Sequence, residues 1–357
     1  MGIFYLCLII WKVINLMKTI YSKKHVLRNS LTELSGGELV KPFDSPERIK
    51  FILDEISKRK LGPIFEVTNQ DLDIIYKVHE KSYVKFLETA WTEWINEGFK
   101  GEAIPTVWPS RSMNSKIIPN NIEGKLGYYC LANETSISQG TIEGAYESVK
   151  VVLTAAEMLQ NEKSIFALCR PPGHHASKDQ YGGYCFFNNI AIAAQKLIEE
   201  GAKKVFILDI DFHHGNGTQE IFYKRSDVFF ASLHGDPMEA FPHFLGYVDE
   251  KGMGEGEGYN LNYPMSPNTT YDQWKKSLNK TICIVKNYNP DFLLISLGVD
   301  TFENDPISFF KLKSDDYFDV GGIISSLNLP TLFVMEGGYA INEIGINTVN
   351  ILKGFEE

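Results

Sequence analysis

The sequence predicts a single α/β domain built on a mostly parallel, open sheet with helices on both faces and its functional site at the C-terminal ends of the strands. Three observations lead there. Five short apolar runs have the length and composition of buried strands, helix-period stretches lie between them, and a polar cluster follows each run. The 357 residues suit one large domain, and no linker or internal repeat divides them.

The five runs are residues 164–169 (SIFALC), 204–210 (KVFILDI), 228–233 (VFFASL), 291–297 (DFLLISL) and 330–335 (PTLFVM). Each is rich in β-branched or aromatic residues and bounded by polar residues, Gly or Pro. In 141–159, Ile142, Ala145, Val149, Val152, Ala156 and Leu159 recur close to the 3.6-residue period of a helix. Residues 189–200 and 271–287 also read as helices. The stretch 91–125 differs, with Trp91, Trp94, Trp108, three prolines and several glycines. It reads as an irregular insertion, of the kind that serves as a lid, binding loop or oligomer contact.

Composition narrows the partners. Apolar residues make up 44% and charged residues 22%, and the net charge is −10. An acidic chain is ill suited to phosphate backbones, which argues against nucleic acid, and it is permissive for a cationic ligand. Cys7, Cys130, Cys169, Cys185 and Cys283 form no CxxC pair, so free thiols in a reducing cytoplasm are expected instead of a disulfide framework. Residues 2–11 (GIFYLCLIIW) are apolar but fall short of the ~20 residues of a membrane span and lack the flanks of a signal peptide, so no transmembrane segment is expected. Residues 1–16 are read as an extension or an upstream start, with a membrane-surface anchor as the alternative, and 17–357 as the domain.

The clusters after the strands carry the chemistry. They are Arg170-Pro-Pro-Gly-His174-His175, then Asp209-Ile-Asp211-Phe-His213-His214-Gly-Asn216, then Ser232-Leu-His234-Gly-Asp236, then Gly298-Val-Asp300, and finally Glu336-Gly-Gly-Tyr339. In an open α/β sheet such strand ends meet in one crevice. Asp209, Asp211 and His213 alternate along an extended chain and share a face. Asp211 and His213, with Asp300 from another strand, offer two carboxylates and one imidazole. That set leaves a coordination position open, as catalytic zinc requires, and it suits Fe²⁺ or Co²⁺ as well. Asp209 is expected to bond His174, fixing its tautomer and raising its pKa. Asn216 is expected to orient His175 without favouring its charged form. His175 is then the candidate general base that takes a proton from metal-activated water. Tyr339, after two glycines, is placed to donate to a substrate carbonyl and stabilise the tetrahedral oxyanion.

The motifs PPGHH, DxDFHHGNGT, LGVDTFENDP and EGGY resemble the histone-deacetylase-like branch of the arginase–deacetylase superfamily over residues 17–354, nearly the whole chain. The segments RNSLTELSGGEL, FLETAW, FKGEAI, IEGKLGYYC, HGDPMEAFPHFLGY and DPISFFKL further resemble the bacterial acetylpolyamine amidohydrolases. The resemblance implies the arginase–deacetylase fold and a deacetylase that hydrolyses N-acetylated polyamines or similar small cationic amines. By motif position it makes Asp211, His213 and Asp300 the ligands of one zinc ion, His174 and His175 the tandem pair, and Tyr339 the carbonyl-polarising group. It implies structural potassium at Asp209, Asp211, His213, Ser232 and Leu233, with Phe222 and Val228 at an outer site. It assigns Tyr184 and Phe241 to the walls of a substrate tunnel, and Glu33, Glu123 and Glu134 to amine recognition. It also makes 91–125 part of a homodimer contact that restricts access. Asn216 replaces the Asp of many protein lysine deacetylases and matches the polyamine-type members. A protein lysine deacetylase remains the alternative. A metal-dependent binding protein has no use for His174, His175 and Tyr339, and a binuclear manganese ureohydrolase needs further Asp and His ligands.

Overall fold

The computed structural model describes residues 16–357, so the apolar run 2–11 and all but the last residue of the expected extension lie outside the described residues. Ten strands occur in it: β1 (Lys18–Tyr21), β2 (Glu33–Ser35), β3 (Glu38–Val40), β4 (Ile64–Glu66), β5 (Ser164–Ala167), β6 (Val205–Asp209), β7 (Val228–Gly235), β8 (Asn260–Met265), β9 (Phe292–Leu297) and β10 (Thr331–Met335). Eight form one sheet in the order β4-β1-β5-β10-β9-β6-β7-β8, with every neighbouring pair parallel. Strands β2 and β3 form a separate antiparallel hairpin. The five runs predicted as strands are the five central ones, β5 to β7 in sheet order. The sequence reading missed β1, β4 and β8.

A parallel sheet buried on both faces splits its side chains between two cores. Ile165, Ala167, Val205, Ile207, Leu294, Leu332 and Val334 point to one, which the helices Thr141–Leu159 and Asn189–Glu199 cover. Phe166, Leu168, Phe206, Leu208, Ile295 and Phe333 point to the other, under the helices Glu47–Arg59, Tyr271–Tyr288 and Ile344–Glu356. Local chemistry sets the helix starts. Asn188 caps Asn189–Glu199 by accepting the Ala191 N–H at 3.0 Å, and Thr270 with Gln273 forms a capping box for Tyr271–Tyr288.

The stretch 91–125 is less irregular than its composition suggests. Residues 91–96 finish the helix Lys81–Asn96, and 122–125 begin the helix Ile122–Tyr129, which leaves 97–121 without a helix. Tyr83, Leu87, Ala90 and Trp94 form one buried face at helical spacing. Trp94 ends it by stacking on Phe99 and donating to Gly101 O at 2.8 Å. The tryptophans that mark the stretch in sequence are thus partly helix core.

Candidate active site

Four adjacent central strands, β5, β10, β9 and β6, deliver the polar clusters to one place. Asp211, His213 and Asp300 are buried there, with one potential ligand atom from each lying within 4.8 Å of the others. His213 Nδ1 is 3.0 Å from Asp300 Oδ2. The other carboxylate oxygens are held by main-chain donors: Phe212 N–H to Asp300 Oδ1 at 2.7 Å, His213 N–H to Asp211 Oδ1 at 2.9 Å and Gly337 N–H to Asp211 Oδ2 at 2.7 Å. Burial and the neighbouring Asp211 charge push the Asp300 carboxyl up to about 8. Burial also works against the Asp211 charge, but His174 and His213 overcome it and hold Asp211 well below the carboxylate range. A Cβ at Gly337 would lie 2.5 Å from Asp211 Oδ2 and 2.6 Å from Asp300 Oδ2, so the backbone approaches the two carboxylates as only glycine can. Two buried carboxylates and an imidazole, braced in this way, fit a divalent ion with an open position. Asp209 and Ser232 are register partners across β6 and β7, and Leu233 follows. Phe222 ends the helix Asn216–Phe222, and Val228 begins β7; all five are buried.

The turn after β5 brings two imidazoles over this cluster. His174 Nδ1 is 2.9 Å from Asp209 Oδ2, and His175 Nδ1 is 2.7 Å from Asn216 Oδ1. The Asn216 amide nitrogen donates to His175 O at 3.2 Å, so its oxygen faces the ring and His175 Nδ1 is the donor. That leaves His175 Nε2 as an acceptor. Burial disfavours a charge on both rings. For His174 the carboxylates of Asp211 and Asp209 reverse this and raise it to about 10. For His175, burial is reinforced by the nearby His174 and His213, and the ring is held well below its ordinary value. The two rings are therefore pushed in opposite directions, His174 toward its charged form and His175 toward its neutral one.

Tyr339 stands opposite. Its main-chain N–H donates to Asp305 Oδ2 at 2.7 Å, and its ring packs edge-on to Tyr184. The Arg48 guanidinium lies 5.0 Å from the Tyr339 ring centroid, bonds Gly338 O at 2.8 Å and also bonds Glu336 O. Asp44 accepts from Arg48 at 2.8 Å and from Arg170 at 3.0 Å. Burial raises the Glu336 carboxyl to about 7 against the pull of His174 and the Gly173 N–H.

A cavity of about 250 Å³ leads to these groups, lined by His175, His213, Tyr339, Tyr184, Phe212, Phe241, Phe309, Glu134 and Glu239 among others. Tyr184 reaches its wall with φ at 66°. A Cβ on the preceding Gly183 would meet the His175 ring at 2.2 Å, so glycine is required there. The structure brings Glu134 to the cavity, with one oxygen accepting the Gly183 N–H at 2.7 Å. Glu33 sits behind the wall, 4% exposed, accepting from the Tyr184 hydroxyl at 2.8 Å and the Phe43 N–H at 3.1 Å. Burial raises its carboxyl to about 7. Glu123 is exposed in the first turn of the helix Ile122–Tyr129 and does not line the cavity. Sequence reasoning missed Phe212, Phe309 and Glu239 on the cavity wall, and Arg48 and Asp305 beneath Tyr339. Glu239 lay within reach, two residues before Phe241 in the segment HGDPMEAFPHFLGY. Arg48 carried no local signal.

Residues 42–355 match the family model of the histone deacetylase domain. An acetylpolyamine amidohydrolase of Mycoplana ramosa is 52% identical over 339 residues, covering 95% of this chain and 99% of that protein. Acetylpolyamine amidohydrolase 2 of Pseudomonas aeruginosa is 48% identical over 341 residues, again covering 95% and 99%. The crystal structure of an acetylpolyamine aminohydrolase from Burkholderia pseudomallei superposes with a TM-score of 0.90 at 34% identity, covering 95% of this chain and 98% of that one.

Proposed function

We propose, from the premise that this chain belongs to the histone deacetylase domain family, that it hydrolyses the acetamide of N-acetylated polyamines or similar small cationic amines. The observation that carries this reading is one narrow aromatic cavity on which neutral His175, Tyr339 and the Asp211–His213–Asp300 cluster converge. Those three residues would hold a single divalent ion, zinc by family, with Fe²⁺ or Co²⁺ compatible with the same donors. When bound, such an ion supplies Lewis acidity toward water and toward an amide carbonyl.

The chain's own groups do the rest. His175 Nε2 accepts the proton of the attacking water, its ring oriented by Asn216. His174, bonded through Nδ1 to Asp209, favours its charged form and would set positive charge where negative charge develops. Tyr339 Oη–H donates to the carbonyl oxygen as it becomes an oxyanion. Collapse breaks the C–N bond, and the proton held by His175 passes to the departing amine, leaving acetate. Tyr184 and Phe241 flank an alkyl chain, while Glu134 and Glu239 set negative charge beside a distal ammonium. Glu33 acts through Tyr184 and not on the amine, and Glu123 would contribute only from a second copy of the chain.

The reading extends to structural potassium held by Asp209, Asp211, His213, Ser232 and Leu233, with Phe222 and Val228 at an outer position. It also includes a homodimer in which the stretch 91–125 narrows access. No helix among the described residues is long and apolar enough to cross a membrane. A cytoplasmic location is supported by Cys130, Cys169, Cys185 and Cys283, all free thiols.

Comparing acetate release from a monoacetylated diamine with release from an N-alkyl acetamide of equal length tests the recognition step. The account expects kcat/KM at least tenfold higher for the diamine, with Glu134→Gln and Glu239→Gln each narrowing the ratio. Equal rates would contradict an ammonium-reading mouth.

A further inference from the structure

We propose that Glu336 is a positioning residue whose carboxylate registers the turn bearing His174 and His175 against the turn bearing Tyr339. The inference rests on the deacetylase reading above. Glu336 follows β10 directly and opens the segment that ends in Tyr339. Its main chain is fixed there: its N–H donates to Leu297 O at 2.9 Å, and Arg48 bonds its carbonyl and that of Gly338. Its side chain crosses to a different strand end. Oε2 accepts the N–H of Gly173 at 2.6 Å and the N–H of His174 at 3.1 Å. Neither N–H has another partner among the described residues, and Glu336 is fully buried. One residue therefore links the two arms that act on the same carbonyl, over a separation of 163 positions in sequence.

Other contacts hold the histidine turn at its flanks. Ser148 and Asn189 donate to Pro171 O, and Gly217 donates to His174 O. None of them ties the turn to the tyrosine's segment. The β5–β10 pairing and the Arg170–Asp44–Arg48 relay to Gly338 O join the two at a distance, and Glu336 is the side chain that bonds the histidine turn directly from the tyrosine's segment. A small displacement between groups that must act together costs far more in turnover than in binding, about 100-fold for ~1 Å. Glu336 touches no substrate atom in this account.

The test uses metal-loaded protein and the variants Glu336→Leu, which removes the acceptor, and Glu336→Gln, which keeps one. With a monoacetylated diamine, Glu336→Leu should lose about 100-fold in kcat with KM within about twofold, while Glu336→Gln stays within about tenfold of the parent. Protein labelled with ¹⁵N-histidine gives a second readout. The His174 Nδ1–H bonded to Asp209 is a deshielded proton, and Glu336→Leu should shift or broaden it while metal content stays unchanged. An unchanged kcat, or an unchanged His174 signal, in a folded Leu variant would overturn the proposal. If the Leu variant does not fold, Glu336→Asp withdraws the acceptor by about one C–C bond (~1.5 Å). A tenfold or larger loss of kcat at constant KM is then expected, and no loss overturns the idea. An inactive parent would defeat the deacetylase reading alone, because the histidine signal still decides the role of Glu336.

Discussion

Tyr339, at the reacting carbonyl, and Glu33, behind the cavity wall, each have a distinct signature. Tyr339 donates to a charge that exists only in the transition state, so Tyr339→Phe should lower kcat by ~10²–10³ and leave KM nearly unchanged, as steady-state kinetics would show. A large rise in KM alone would mean that the hydroxyl serves ground-state binding. Glu33 makes a different prediction, because its buried carboxyl is raised from 4.5 to about 7. A raised folded-state pKa means that the stability linked to its proton is fully present below about 4.5 and is lost as pH rises through about 7. Glu33→Gln carries no such titration and can still bond the Tyr184 hydroxyl, which both donates and accepts. The variant should therefore gain on the parent by on the order of 2–3 kcal/mol between pH 5 and pH 8 in paired denaturation curves. A pH-independent difference would show that the Glu33 carboxyl titrates alike in the folded and unfolded chains.

At the scale of elements, strand ends position the site and glycine turns let them close on it. Gly337→Ala forces a methyl against Asp211 and Asp300, and it should weaken metal affinity ~10–100-fold in a chelator competition while the fold persists. Unchanged affinity would mean that the turn relaxes without disturbing the ligands. The elements legible in sequence are those the sheet buries on both sides. Strands β5, β6 and β10 are wholly buried and read as continuous apolar runs. Strand β4 is three residues long and half exposed at one edge, and β8 at the other mixes Asn with Tyr and Pro. Strand β1, four residues long and led by Lys18, is buried only at Thr19 and Ile20 although it lies inside the sheet. The motif residues were legible because each follows a strand and carries unusual chemistry. Arg48, Asp305 and the Glu336 side chain were not, since the contacts that tie them to the site, to Gly338 O, Tyr339 N and Gly173 N, are made to residues far off in sequence and only by folding.

The whole molecule carries a net charge of −10, and the side chains of Glu134 and Glu239 line its aromatic cavity. A field of that sign raises the local concentration of a polycation, so kcat/KM for a monoacetylated triamine should fall as salt rises from 0.01 to 0.5 M, more steeply than for a neutral acetamide. Parallel salt profiles would remove steering from the account. Chelation should abolish turnover, and zinc should restore it together with thermal stability, since an ion bound only by the folded state stabilises that state. Activity that survives complete metal removal would show that the Asp211–His213–Asp300 cluster is not a metal site. The central claim concerns what enters the cavity, and the most direct measurement is kcat/KM for a monoacetylated diamine beside an acetyl-lysine peptide on one zinc-loaded preparation. The account predicts a preference for the diamine of at least 100-fold, corresponding to ~2.7 kcal/mol of differential transition-state binding. Equal rates, or a preference for the peptide, would contradict it and make the protein a lysine deacetylase built on the same chemistry.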